Sequence, residues 1–489
     1  MPHRLREGIT AVVQPLLNNY QAPPKPHKDK DARSAGNHRR RRSPQEERLS
    51  AADVGCSKRR HTRPSPPFPR PASPQGLARA IGARRSTIGQ RSRFFLSEGA
   101  AVEFSANRAA PFDHLSRCCS TATEPTEALG CPLPAFVPVA WITARFHSRP
   151  PEGLCRNDWK DWPAAALSVP SSLVYQDGAR AGWVGQAWTS PDASSRGVQD
   201  TLDMAFKRFL ARTSAPPRPL PRVVSLEVGT REGWLKLVLQ AQRALCPQLR
   251  KLVLARARRF ECLDLRTFSP RDVVARLAER FPDSVVFANQ RGGGTFVGAS
   301  PEHLLRLRGS TLHTRALAGT AGRERALELL ECEKTRHEHQ LVVEGIREAL
   351  HSSSRRVWVA QRPRLRAVGN LAHLETPIRA TLREGLSLLD LVGALHPTPA
   401  LGGDPADHAQ AWLAAEEGLV RGAYGAPFGW IGPTGEGDVL VGIRSALLRG
   451  GSALAYAGAG IVPASDPQAE WEETELKLEP MTWALGGAS

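Results

Sequence analysis

AYAGAGIVPASDPQAEWEETELKL, residues 455–478, combines a strand, a pair of glycines and a charged helix in one run. Ala453 to Tyr456 reads as a buried strand. Gly458 and Gly460 carry no Cβ, so the backbone there is free to turn and to approach a ligand closely. Ser465 or Asp466 suits the N-cap of the following helix, with Pro467 in its first turn. On that helix Glu470, Glu473 and Lys477 are spaced i, i+3, i+7 and share one face. Two carboxylates and an ammonium beside a glycine strand end suit a metal and an anion held together. The plainer alternative is a solvated helix with an ordinary Glu473–Lys477 pair.

Outward from this run, the chain of 489 residues has room for a large core and two or three domains. Its net charge of +18 is concentrated at one end: residues 1–120 carry 23 Lys and Arg against 9 Asp and Glu, a net +14. Residues 21 to about 95 are rich in Pro, Arg, Ser and Lys, without apolar period, so disorder is expected. An RNA- or membrane-binding arm, a transit peptide, a solvated tail and an over-extended start are the readings open for it. No aromatics interleave its charges, so groups that stack on single-stranded nucleic acid are missing, and nucleic-acid binding by the tail is not expected. The eight cysteines form no C-x-x-C pair and no zinc spacing, which suggests reduced thiols in a cytosol-like compartment. No apolar run reaches the roughly 18 residues of a membrane helix, so no membrane association is expected.

From about residue 135 the composition turns globular. Strands are expected at Ser172 to Tyr175 and Gly182 to Ala187, and helices at Thr201 to Arg212 and Trp234 to Leu245, with a Pro-rich link at Ala215 to Pro221 between the helices. KLVLAR, residues 251–256, is a buried strand with Lys251 at its entrance. Burial there would suit a general base, and a strand-edge gatekeeper is the alternative. GASPEHLLRL places Glu302 between a glycine turn and a strand, where a desolvated carboxyl would serve as a general acid. RALAGTAGR, residues 315–323, reads as a turn and is not a phosphate-binding P-loop. A helix is expected from about Glu324 to Leu350. Its His337-Glu338-His339 triplet is no zinc motif, because residues i and i+2 face apart on a helix. Glu338 alone suits a hard cation. Leu388 to Leu395 and Ala406 to Glu417 are further helices around HPTPALGG, residues 396–403. Phe428 to Ile431 and Val439 to Arg449 read as a hairpin with Arg444 inside its second strand, either exposed or clamping an anion.

KLVLAR, GASPEHLLR, LAGT, RHEHQLV, HPTPALGG, GAYGAPFGW, VGIRSALLR and AGAGIVPASDPQAEWEETELKL, in this order, resemble the chorismate-utilising enzymes and most closely the isochorismate synthases. The resemblance is dense over residues 225–480. It implies an α/β fold of α+β type, with large, mostly antiparallel sheets and helices packed outside. The catalytic domain would span 131–489, after a basic tail over 1–130. The implied reaction is Mg²⁺-dependent isomerisation of chorismate to isochorismate, by water attack at C2 and loss of the C4 hydroxyl, feeding menaquinone or siderophore biosynthesis. A cytoplasmic monomer is expected.

By the same resemblance, Lys251 would be the base that activates water and Glu302 the acid that protonates the leaving hydroxyl. Glu338 and Glu473 would hold Mg²⁺, with Glu470 a further acid nearby. Lys477, Gly319 and Thr320 would bind the ring carboxylate, Arg444 and Gly458 the enolpyruvyl carboxylate, and His373 would line the ring. Ala400, Leu401 and Tyr424 would wall the side chain. Ala318 stands where aminodeoxychorismate-forming members carry a nucleophilic Lys, and Lys251 is absent from ammonia-using members. Salicylate synthase, which adds pyruvate elimination, is the enzyme alternative, and Tyr424 fits both. A basic RNA- or surface-binding protein on an inactive domain is the alternative of another class. Two departures stand out: a short link between Thr320 and Glu338, and Glu472 where an Arg is common.

Overall fold

The computed structural model describes residues 9–15, 92–106, 111–113, 115–116, 139–177, 180–185, 219–369 and 371–487. Every pairing between its strands is antiparallel, and the pairings form two runs. The first passes through Val223–Val228, Lys251–Cys262, Ser452–Ile461, Ser445–Arg449, Gly294–Ser300 and Val285–Arg291. The second passes through Ala165–Asp177, Ala140–Ala144, Pro427–Ile431, Gly437–Val441, His303–Arg308, Thr311–Gly322 and Leu371–Leu382. Ile9–Pro15 and Ser92–Ala106 connect the runs through Val285–Arg291 and Ala165–Asp177.

Helices cover the sheets, as expected. Val342 and Ile346 of Glu333–His351 share a core with Ala316, Ala318 and Ile378 of the second run. Leu478 and Met481 of Pro467–Leu485 share another with Val297, Ala455 and Ala457 of the first. Local signals place the helix starts. Asp466 caps Pro467–Leu485 by accepting from Ala469 N at 2.8 Å. Ser387 and Asp390 form a reciprocal capping box for Leu388–Leu395.

Several sequence expectations differ from the structure. Gly458 and Gly460 do not turn the chain: the strand runs unbroken over Ser452–Ile461, and the glycines serve close approach instead. A Cβ at Gly458 would stand 2.8 Å from Leu254 O. RALAGT is not a turn but part of the Thr311–Gly322 strand, with a bulge at Gly319, whose φ is +74°. The helix expected from Glu324 begins only at Glu333, because the chain breaks at Cys332 after a short helix at Glu328–Glu331. Arg444 lies in no strand. It occupies the left-handed region, φ +51°, between Gly437–Val441 of the second run and Ser445–Arg449 of the first.

The basic tail expected over 1–130 differs at Ile9–Pro15 and Ser92–Ala106, which are paired strands, and at Phe112 and Leu115, which are buried in the core. A composition average over the Arg- and Pro-rich segment hid these short apolar stretches. The helix expected at Thr201 to Arg212 and most of the Pro-rich link lie outside the described residues.

Candidate active site

A cavity of about 770 Å³, open mouth included, lies between the two runs of strands. Val253, Tyr456, Gly458 and Gly460 line it from the first run, Gly319, Thr320 and His373 from the second, and Glu302 from the link between Gly294–Ser300 and His303–Arg308. Glu338, Glu473 and Lys477 reach it from the helices, and Ala400, Leu401, Tyr424 and Arg444 from connecting segments. Of the residues named from sequence, only Lys251 and Glu470 do not line it.

Lys251 stands directly behind the wall. Its side chain is 1% exposed, and Nζ lies 3.0 Å from Glu338 Oε1. Burial pushes the Glu338 carboxyl up, but Lys251, Lys477 and Lys334 outweigh it and hold the group below its ordinary range. Glu302 goes the other way. Burial pushes its carboxyl up to about 7, and the pull of Arg315, Lys251 and Lys477 only partly offsets this. A partly exposed carboxyl is therefore kept charged and a buried one is poised to titrate near neutral pH, which is how acid and electrostatic roles are separated within one site.

The opposite side of the cavity is built for an anion. Arg444 is buried, and its guanidinium makes no hydrogen bond or ion pair to the described residues. Burial lowers it to about 10, so it remains charged at neutral pH. A buried cation without a counter-charge is costly unless a ligand supplies one. Lys477 Nζ bridges Glu473 Oε1 at 2.5 Å and Gly458 O at 2.8 Å. His373 Nδ1 lies 3.0 Å from Gly319 O, an acceptor only, so this nitrogen carries the proton. Burial, with Arg444 and Lys477 nearby, lowers the imidazole to about 3. Its neutral Nε2 is buried without a partner among the described residues and so presents a lone pair. Tyr424 stacks on Tyr456, centroids 5.3 Å apart.

Glu470 is turned away from the cavity, paired to Lys334 at 2.5 Å. Burial and Glu473 raise its carboxyl to about 6. Glu472 is exposed and accepts from Gln468 at 2.7 Å, so its charge points to solvent rather than toward Glu473. His337 is exposed and His339 buried against Thr376, as i, i+2 geometry requires. Lys334, and the Glu417–Arg421 pair behind the cavity, escaped the sequence reading. The i, i+4 spacing of Glu417 and Arg421 was the available signal for that pair.

No cluster of three or more His, Cys, Asp or Glu with metal-ligand geometry occurs among the described residues. Glu338 and Glu473 offer two oxygen donors at the cavity wall. That fits a small hard cation which keeps several waters, and does not fit zinc or an all-protein calcium cage.

The chorismate binding enzyme family matches residues 87–486. The salicylate biosynthesis isochorismate synthase of Pseudomonas aeruginosa is 36% identical over 348 residues, 68% of this chain and 72% of that protein. The isochorismate synthase MenF of Bacillus subtilis is 40% identical over 343 residues, again 68% and 72%. Among solved structures, the menaquinone-specific isochorismate synthase MenF from Escherichia coli superposes with a TM-score of 0.64 at 24% identity, over 80% of this chain and 86% of that one. Anthranilate synthase component I from Streptococcus pneumoniae gives 0.66 at 21%, over 80% and 92%. At these identities the structural likeness speaks for the fold.

Proposed function

The chain belongs to the chorismate binding enzyme family, and from that premise we propose that it is an isochorismate synthase, converting chorismate to isochorismate with Mg²⁺. Chorismate is a dianion. Lys477 and Arg444 face the cavity as cations, Lys251 stands behind its wall as the base, and Mg²⁺ held by Glu338 and Glu473 would supply the further positive charge to receive it. The observation that carries the reading is Glu302: a buried carboxyl that titrates near neutral pH beside a cavity that also holds an Arg with no side-chain partner among the described residues.

In this reading Lys251 takes a proton from the water that attacks C2, and Glu302 gives one to the hydroxyl departing from C4. Arg444 holds the enolpyruvyl carboxylate by its planar fork. Lys477 and the backbone at Gly319 and Thr320 hold the ring carboxylate. The bare Nε2 of His373 accepts from a ring hydroxyl. Glu338 and Glu473 would hold Mg²⁺, whose charge neutralises the ring carboxylate. A cytoplasmic monomer completes the reading. No helix of the described residues is long and apolar enough to cross a membrane.

The test is product analysis of the purified protein supplied with chorismate and Mg²⁺, with pyruvate read by lactate dehydrogenase. Isochorismate with little pyruvate is expected, and EDTA should stop turnover. Leu401 is a bulky apolar wall of the cavity, so Leu401→Ala should loosen the side-chain pocket and release pyruvate. Stoichiometric salicylate and pyruvate from the wild type would replace this reading with salicylate synthase.

A further inference from the structure

Arg421 and Glu417 form an ion pair sealed from solvent, with side chains 1% and 0% exposed and Nη2 2.5 Å from Oε1. Such a pair is weak evidence of stability, because desolvating both charges offsets their attraction. Its other bonds show what it holds. Arg421 Nη1 donates to Leu401 O at 2.9 Å, and Nη2 to Val253 O at 2.5 Å. Glu417 Oε1 accepts from Ala255 N at 2.8 Å. The Phe146 ring lies 4.2 Å from the guanidinium.

These bonds fill a gap in the sheet. Gly403–Asp404 pairs with the Lys251–Cys262 strand only at Lys251 and Leu252, and Val253 N–H reaches Gly402 O. Val223–Val228 takes up the same strand from Ala257 onward. Between the two, Val253 O and Ala255 N–H are met by side chains instead of backbone. The backbone of Arg421 also accepts Tyr424 N–H, at 3.0 Å. Val253, Leu401 and Tyr424 all line the cavity, so one residue ties together three of its walls.

We infer that Arg421 is a positioning residue: it sets the spacing between the Leu401 wall and the strand that begins at Lys251, and thereby decides whether the product keeps its side chain. The inference rests on the isochorismate synthase reading. In isochorismate, loss of the side chain moves the C2 hydrogen to the enolpyruvyl methylene carbon and breaks the C3–O bond. The oxygen leaves as the carbonyl of pyruvate and the ring becomes salicylate, so atoms and electrons balance without a co-reactant. That transfer needs the methylene carbon close to C2, and a wall fixed at Leu401 holds it elsewhere.

Arg421→Lys keeps the charge but loses the fork, because one ammonium cannot serve both carbonyls and Glu417 in the same geometry. Chorismate turnover by wild type and variant is followed with isochorismate and pyruvate each quantified. In Arg421→Lys the pyruvate-to-isochorismate ratio should rise about ten-fold, the scale of losing a charge-assisted hydrogen bond, with KM rising more than kcat falls. A ratio is independent of the fraction of folded enzyme, so mere destabilisation would not move it. Glu417→Gln, of equal volume, should shift the ratio in the same direction and carries the test where Arg421→Lys yields no folded protein. An unchanged ratio and KM in either folded variant overturns the inference. A wild type that forms no isochorismate overturns the functional reading itself, which the same assay reports separately.

Discussion

Lys251 Nζ meets Glu338 Oε1 at 3.0 Å, across a strand that has a glycine, Gly460, at the point of contact. A Cβ built at Gly460 would stand 2.1 Å from Glu338 Oε1 and 3.0 Å from Lys251 Cε. Both are ends of flexible side chains, so the fold can relax around an added methyl while the site cannot. Gly460→Ala should therefore keep its far-UV circular dichroism and melt close to wild type. Its chorismate turnover should fall about 100-fold, the scale expected when reacting groups are displaced by about 1 Å. Turnover near wild type would show that the Lys251–Glu338 contact is not needed.

Glu302 should govern the alkaline side of the pH profile. Its carboxyl is pushed up to about 7 by burial and is competent as an acid only when protonated. The kcat/KM of the wild type should thus fall as pH rises through about 7. Glu302→Gln should lower turnover by about 10²- to 10⁴-fold and remove that limb. An unchanged limb in the Gln variant would assign the titration to another group.

Glu375 should make the fold acid-sensitive. It is buried on the second run of strands, with Arg315, Arg364 and Arg366 bonded to it at 2.9, 2.6 and 2.9 Å. Burial pushes its carboxyl up, but the three guanidinium groups prevail and hold it down at about 2, against 4.5 for a free Glu. A depressed carboxyl stabilises above its unfolded value, and the contribution is lost as pH falls from about 4.5 through about 2. The loss should be roughly 3 kcal/mol in urea unfolding. Glu375→Gln should be less stable than wild type at pH 7 and lose less on acidification. Equal pH slopes for the two proteins would refute this.

Much of the site was legible in linear order. Glu473 and Lys477 share a helix face and do form an ion pair, and Asp466 caps that helix. His337 and His339 diverge as their spacing requires. These readings succeed because helix geometry is local. The turns read at Gly458, Gly460 and RALAGT are strands instead, because glycine permits both. The choice was made by partners far along the chain: Ala257 to Leu252 beside Tyr456 to Ile461, and Leu371–Leu382 beside Thr311–Gly322.

The sequence by itself determined the kinds of charge the protein carries, the side of each helix they occupy and the family blocks that hold them. Only the tertiary structure decided which of those charges are neutralised and which are left waiting. Glu302 and Glu338 have the same side chain and line the same cavity, yet the buried Glu302 is poised to titrate near neutral pH and the partly exposed Glu338 is kept ionised. Glu470, one turn from Glu473, is diverted to Lys334, and Arg444 is left without an ion-pair partner among the described residues where the chain crosses between sheets. The reason is that desolvation and pairing depend on what surrounds a group in space. For these residues the surroundings come from strands and helices that meet only when the whole fold has closed.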